Sequence, residues 1–426
     1  MNIPSSSVLE SVYGESVKSQ ARFEALAKTF AEKYGHDTPE FFSAPGRTEI
    51  IGNHTDHNGG LVIAASIDMD TIGVASPNNS SMIHITSQGY PQEICVDLDH
   101  LEATPKEQGS PSLVAGMAEA IRKFGYQISG FDACLSTTVI PAAGVSSSAS
   151  FQMLICSVVN YFFNGGSMSY IDYAKIGQYA ENVYWNKASG LMDQLACAVG
   201  GPILMNFADQ NNPTFQKTSF GFQDNGYQLV IVNTGKGHAD LSQEYSSVPL
   251  EMKEIASALG VQRLCETTRE KFLEFYSNPE NAAKITNDRC VLRAMHFWNE
   301  NDRVKKAAEA IQCGDTKKLL ALMKQSGDSS WEFLQNCYSL ANCQEQKITL
   351  ALALSQNFLD QIGDGICRVH GGGFAGVIMC IVPVAQKDNY VEFISRFVGK
   401  ENVYPMNIRK TGAVHLELGK SLFTIE

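Results

Sequence analysis

Four short segments carry the residues that could act on a small polar substrate. In ASGLMDQLACAVGGPILMNF (188–207), Asp193 is a single acid in a run of apolar and small residues. A buried carboxylate needs a partner, because an unpaired buried charge costs several kcal/mol. That partner is a cation or a substrate hydroxyl, unless Asp193 merely caps a helix. In APGRTEIIGNHTDHNGG (44–60), Arg47, Glu49, Asn53, His54, Asp56 and His57 stand among four glycines. Such a set can bind hydroxyls beside one Arg, hold a metal through His54, Asp56 and His57, or form the solvated turn of a hairpin.

The third segment, PAAGVSSSAS (141–150), is a loop of small residues running into the apolar stretch FQMLICSVVNYFF. Small side chains let backbone approach phosphate oxygens, serines offer hydroxyls, and free N–H groups at a helix start complete an anion site. The alternative is a Ser-rich connection that caps a core helix. No Lys follows its glycine, so Walker A chemistry is not indicated. The fourth, CRVHGGGFAGVIMC (367–380), has three consecutive glycines entering an apolar strand. These make a tight turn or allow close approach of backbone to a ligand.

The surrounding pattern supplies elements to position these loops. SVKSQARFEALAKTFAEKYG (16–35) has helical periodicity ended by Gly. From Phe41 to about His100 the runs LVIAASI, TIGVAS and SMIHITS read as strands separated by turns. Residues 112–125 read as a helix, FDACLSTTVI as a strand and YQLVIVNT (227–234) as another strand. Residues 250–360 are mostly helical by periodicity, and the chain then returns to strands with one helix.

A chain of 426 residues exceeds one comfortable core, so two domains with a cleft between them are expected. The polar passage after Phe207 places the boundary near residue 215, giving domains 1–215 and 216–426. A hydrophobic fraction of 44%, a charged fraction of 18% and a net charge of -12 describe an ordinary acidic globular protein without a nucleic-acid or anionic-membrane footprint. MNIPSSSVLESVYG has neither a basic head nor an apolar run, and no stretch approaches the roughly 18 apolar residues of a membrane span. The 11 cysteines form no C-x-x-C pair, which fits reduced thiols and a cytoplasmic protein.

Taken in order, the four segments resemble the GHMP family of small-molecule kinases, and within it the galactokinase branch. PAAGVSSSAS resembles the phosphate loop P-x-x-x-G-L-S-S-S-A-S. GRTEIIGNHTDHNGG resembles G-R-x-N-L-I-G-E-H-T-D-Y-N-x-G, GLMDQ resembles G-I-M-D-Q, and VHGGGFAG resembles M-T-G-G-G-F-G-G. TGKGHADLSQEY (234–245) and RAMHFWNENDRV (293–304) stand where further blocks are expected. The resemblance implies an α+β, two-domain GHMP kinase fold with mixed and antiparallel sheets flanked by helices, and an active site in the interdomain cleft. It implies that ATP phosphorylates the anomeric hydroxyl of a galactose-type sugar. Asp193 would be the base and Arg47 the cation that pairs with it and steadies the phosphoryl group. Asn53, His54, Asp56, Gly190 and Tyr245 would face the sugar. Gly144, Val145, Ser146, Ser147, Ser148 and Ala149 would hold ATP, and Ser148 with Glu181 would hold Mg²⁺.

The chain departs from the family pattern in places. Asn53 stands where the signature has Glu, a position the family places near the C6 hydroxyl. Losing that charge opens galacturonate as an alternative substrate, and His57 in place of Tyr points the same way. Paired arginines are missing after Tyr245, Gly327 replaces a His, and Gln152 replaces an acid. Two readings of other classes remain: a sensor that binds sugar and ATP without turnover, and a metal hydrolase.

Overall fold

The computed structural model describes residues 3–35, 38–107, 109–141, 143–187, 189–235, 242–417 and 422–423. Its strands are β1 (Glu40–Ile51), β2 (Leu61–Pro77), β3 (Met82–Ser87), β4 (Tyr90–Asp97), β5 (Phe131–Thr137), β6 (Pro202–Asn206), β7 (Thr214–Lys217), β8 (Tyr227–Asn233), β9 (Ile366–His370), β10 (Val377–Pro383), β11 (Val403–Met406), β12 (Val414–Leu416) and β13 (Leu422–Phe423). Its helices are α1 (Ser6–Tyr13), α2 (Val17–Tyr34), α3 (Ser110–Lys123), α4 (Ser147–Asn164), α5 (Tyr170–Tyr184), α6 (Met192–Val199), α7 (Ser242–Ala258), α8 (Arg269–Tyr276), α9 (Pro279–Ala282), α10 (Asp288–Gln312), α11 (Thr316–Ser329), α12 (Lys347–Ile362) and α13 (Lys387–Val398).

One sheet has the order β13-β12-β1-β2-β5-β3-β4, with β6 and β7 continuing from the first half of β2. It is mixed, because β3 and β5 run parallel while the other pairs are antiparallel. The second sheet, β11-β8-β10-β9, is antiparallel throughout. Apolar residues of α3, α4, α5 and α6 form one core with the first sheet. Val8, Leu9, Phe23 and Phe30 of α1 and α2 join Phe41, Val74 and Val414 in another. A third core joins the two sheets, with Ile50, Ile63 and Val145 meeting Leu229, Val377 and Met379.

Most expected elements are present, and three differences have physical causes. LVIAASI and TIGVAS are one strand rather than two, because β2 pairs with β6 over Leu61–Ala65 and with β5 over Thr71–Pro77, which carries it through the polar Asp68-Met69-Asp70 step. PILMN gave no strand signal, yet it pairs with β2 as β6. The chain end returns to the first sheet, where Val414–Leu416 pairs with Phe41–Ser43, so a single cut at residue 215 leaves β12 apart from the sheet it completes. All 11 cysteines are free thiols, most of them buried. No described helix is long and apolar enough to cross a membrane.

Candidate active site

β1 carries the first residues into the cleft. Its register against β2 shifts between Pro45 and Arg47 and again between Glu49 and Ile51, and such irregularities bend a strand and re-aim its side chains. Gly46 is required for close approach: a Cβ there would lie 2.7 Å from the Val145 carbonyl oxygen. That contact lets the loop before α4 lie on β1, where the Arg47 N–H donates to the Val145 carbonyl at 3.1 Å.

Arg47 is buried, and its Nε and one terminal nitrogen each donate to Asp193 Oδ1 at 2.8 Å. The other terminal nitrogen donates to the Gly144 carbonyl. Asp193 lies in the first turn of α6, where the helix dipole favours an anion. Ser146 Oγ donates to its Oδ2 at 2.5 Å. Burial raises the Asp193 pKa, but Arg47 and the two hydrogen-bond donors outweigh it and hold the carboxyl at about 2. A third of its side chain still faces the cavity. Residues 146 positions apart thus meet as an ion pair open on one side to a ligand.

Ser146 has a φ of 60° and gives no side-chain cap to α4, because its hydroxyl is spent on Asp193. The first amides of α4 are left uncapped beside Ser147 and Ser148, which suits an anion. Ser148 Oγ donates to Glu181 Oε1 at 2.8 Å. Glu181 is buried on α5 and also receives Gln152 at 3.0 Å, Lys187 at 2.9 Å and the Ser189 hydroxyl. An amide at position 152 fits this place, since a second acid there would repel Glu181. Of the loop residues expected at ATP, Gly144 offers its carbonyl to Arg47, and Val145 and Ala149 are buried in the cores.

A polar cavity of about 240 Å³ is lined by Arg47, Asp193, Glu49, Asn53, His54, Asp56 and Gly190, with Lys187 and Gly371–Gly372 at its edge. Gly190 is tight against it, as a Cβ there would lie 2.5 Å from Asp56 Oδ2. A second, more apolar cavity of about 370 Å³ lies on the other side of the serine loop. Ser147 and Ser148 border it, with Tyr90, Pro91, Leu113, Phe151 and Trp185 as its apolar walls. No sequence motif marks this second cavity, because its walls come from four separated segments. Lys187, on Glu181 and at the edge of the polar cavity, was also missed.

Three expected sugar-facing residues have other partners. Tyr245 is not part of the cavity wall: it packs behind the glycine turn and its hydroxyl donates to the Gly373 carbonyl at 2.8 Å. His54 lines the cavity, but Nε2 donates to the Gly372 carbonyl at 2.9 Å and Nδ1 faces His57 Nε2 at 3.3 Å. Burial, then the neighbouring His57, pulls its pKa down to about 3, so the ring is neutral. Asn53 is buried, and its amide is engaged on both ends. The metal reading of His54, Asp56 and His57 has no geometric support, since no cluster of three or more His, Cys, Asp or Glu suited to a metal occurs among the described residues. The block 234–245 falls largely on 236–241, outside the described residues.

A polar cavity lined by an Arg–Asp pair, a serine loop that reaches this pair through Ser146 and borders a second, more apolar cavity, and a mixed and an antiparallel sheet define a small-molecule kinase of the GHMP class. Residues 112–201 match the GHMP kinases N terminal domain, and residues 28–77 match the galactokinase galactose-binding signature. The chain is 30% identical over 386 residues to the galactokinase of Lactococcus lactis subsp. lactis, covering 88% of this chain and 91% of that one. It is 26% identical to the galactokinase of Clostridium tetani over 96% of this chain and 99% of that one. The crystal structure of Lactococcus lactis galactokinase complexed with galactose superposes with a TM-score of 0.77 at 27% identity, covering 92% of this chain and 98% of that chain. L. major mevalonate kinase shares the fold, with a TM-score of 0.57 at 15% identity over 88% of this chain and 97% of that chain. The chain belongs to the galactokinase family.

Proposed function

We propose that this protein transfers the terminal phosphoryl group of ATP to the anomeric hydroxyl of galactose, giving galactose 1-phosphate and ADP. The observation that carries the reading is the Arg47–Asp193 pair, set where the polar cavity meets the serine loop. Galactose occupies the polar cavity, with its C1 hydroxyl at Asp193. Asp193 accepts the hydrogen of that hydroxyl and orients its oxygen for in-line attack. Arg47 faces the phosphoryl oxygens and offsets charge that develops during transfer. The α4 amides with Ser147 and Ser148 hold the phosphates, and the apolar cavity takes the adenine.

Ser148 and Glu181 fit a magnesium ion carried on the nucleotide, being one hydroxyl and one carboxylate in hydrogen-bond contact, both hard oxygen donors. Such an ion, when bound, neutralises phosphate charge. Asp56 and Gly190 shape the wall that meets the ring hydroxyls. The test is a coupled assay of ADP release with MgATP and galactose, beside galacturonate, N-acetylgalactosamine and arabinose. Galactose-dependent ADP with 1-phosphate as product supports the reading. Binding of sugar and ATP without ADP would replace it with a sensor.

A further inference from the structure

Asn53 lines the sugar cavity but has no hydrogen-bonding capacity left for a ligand. Its Nδ2 donates to the Gly371 carbonyl at 2.8 Å and to the two Glu49 oxygens at 3.3 and 3.2 Å. Its Oδ1 accepts from Asn336 at 3.0 Å and from Ser330 at 3.4 Å. The reverse orientation would set an amide oxygen against a carboxylate, so these partners fix the amide. An Asn has two donors and two lone pairs, and all four are taken.

Glu49 is in a different position. It is buried, lines the same cavity, and pairs with buried Arg368 at 2.8 Å through Oε1. Its Oε2 has one recorded partner, a hydrogen shared from Asn53, while a carboxylate offers about four acceptor sites. Burial raises its pKa against the pull of Arg368, and a more basic carboxylate is a stronger acceptor. Arg47 and Glu49 pair with Ser66 and Ala64 in unbroken register, so they share a face of β1 about 6.7 Å apart. Thr48 between them points away, to His370 at 3.0 Å. Against the signature form, the acid and the amide have exchanged places four residues apart.

We infer that Glu49, and not Asn53, is the residue of this chain that accepts the sugar's C6 hydroxyl, and that it sets the preference for a neutral CH₂OH over a carboxylate there. This rests on the galactose reading above. Arg368 and Asn53 act as positioning residues: they hold the Glu49 carboxylate with one oxygen open to the cavity. The removal of charge at position 53, which opened galacturonate as a substrate, is offset by the acid at position 49.

The experiment compares kcat/KM for galactose, 6-deoxygalactose and galacturonate in the wild type, in Glu49→Gln, and in the exchange Glu49→Asn/Asn53→Glu, with thermal melts of each. Wild type turning over galactose sustains the functional reading; failure there sinks that reading and overturns the inference that rests on it, whereas the variants test the inference alone. A hydrogen bond to a charged group predicts that Glu49→Gln lowers the ratio of galactose to 6-deoxygalactose by about 10-fold or more and raises relative turnover of galacturonate. Equal losses on galactose and 6-deoxygalactose would show a merely structural carboxylate and overturn the inference. If Glu49→Gln does not fold, the exchange decides: it returns an acid to the pair and should keep the ratio within about threefold of wild type. A ratio raised about tenfold would mean that Glu49 makes no such contact in the natural protein.

Discussion

Replacing Asp193 by Asn tests the mechanism at its centre. The change keeps the shape of the side chain and removes its charge. Asp193 Oδ1 takes two donors from Arg47 at 2.8 Å and Oδ2 takes Ser146 at 2.5 Å, so the amide turns a donor toward one of these and leaves Arg47 buried without its anion. Breaking a buried pair costs roughly 3–5 kcal/mol. Here a third of the Asp193 side chain is open to the cavity and Arg47 keeps the Gly144 carbonyl, so a loss of about 2 kcal/mol is expected. That is a fall of a few degrees in Tm. Removing a positioned acid or base typically costs about 10²–10⁴ in rate. A carboxylate held at about 2 is a weak base, which argues for the lower part of that range, about 10²–10³ in kcat or roughly 3–4 kcal/mol of barrier. Steady-state ADP release should show that loss in kcat, with KM for galactose within about threefold, because the remaining cavity wall is intact. A folded variant with kcat within tenfold of wild type, or one whose loss falls wholly in KM, would refute the assignment.

Gly190→Ala places a methyl where 2.5 Å separates it from Asp56 Oδ2, so KM for galactose should rise about tenfold while KM for ATP changes little in the same steady-state assay. Trp185→Ala strips a wall of the apolar cavity, and the loss of about 1.5–3 kcal/mol of apolar burial should weaken ATP binding by about 10- to 100-fold in calorimetry, with galactose affinity nearly constant. In pH, the folded Asp193 pKa of about 2 lies below the unfolded value of about 3.9. Its stabilising contribution is therefore complete above pH 4 and is lost as pH falls through 2. The Tm gap between wild type and Asp193→Asn should be constant from pH 7 to 5 and narrow below pH 4; a gap that widens on acidification would contradict the ion pair.

Local chemistry made the candidate segments legible. An acid in an apolar run demands a partner, which the family resemblance identifies as Arg47, while SSSAS before an apolar helix is compatible with either an anion site or a Ser-capped start; the structure shows the Arg47–Asp193 pair and no side-chain cap from Ser146. Helix α2, ended by Gly35 at a φ of 67°, and the strands around Phe131 and Tyr227 follow periodicity directly. What sequence did not disclose depends on tertiary placement. Nothing in PILMN says that it pairs with β2, and nothing in Val414–Leu416 says that it crosses back to β1. The side-chain accounting was equally hidden. Asn53 reads as a ligand group until Asn336 and Ser330, more than 270 residues away, claim its oxygen, and Tyr245 reads as one until its hydroxyl is found on Gly373.

A single strand places both Arg47 and Glu49 on the cavity. β1 pairs with both β2 and β12 at Phe41–Ser43, stays paired with β2 as far as Ile51, and at that end meets residues from the C-terminal half of the chain. There Arg368 donates to the Ile50 carbonyl at 2.6 Å, Glu300 accepts the Gly52 N–H at 3.0 Å, and His296 reaches the Asn53 carbonyl at 2.9 Å. Between these anchorages Arg47 and Glu49 face the cleft, one beside the phosphate loop and one beside the glycine turn. Strand periodicity alone keeps them in step, so a change that slips β1 by one residue would turn both side chains out of the cavity together. The buried contacts that Arg368, Glu300 and His296 make at the end of β1 resist that slip.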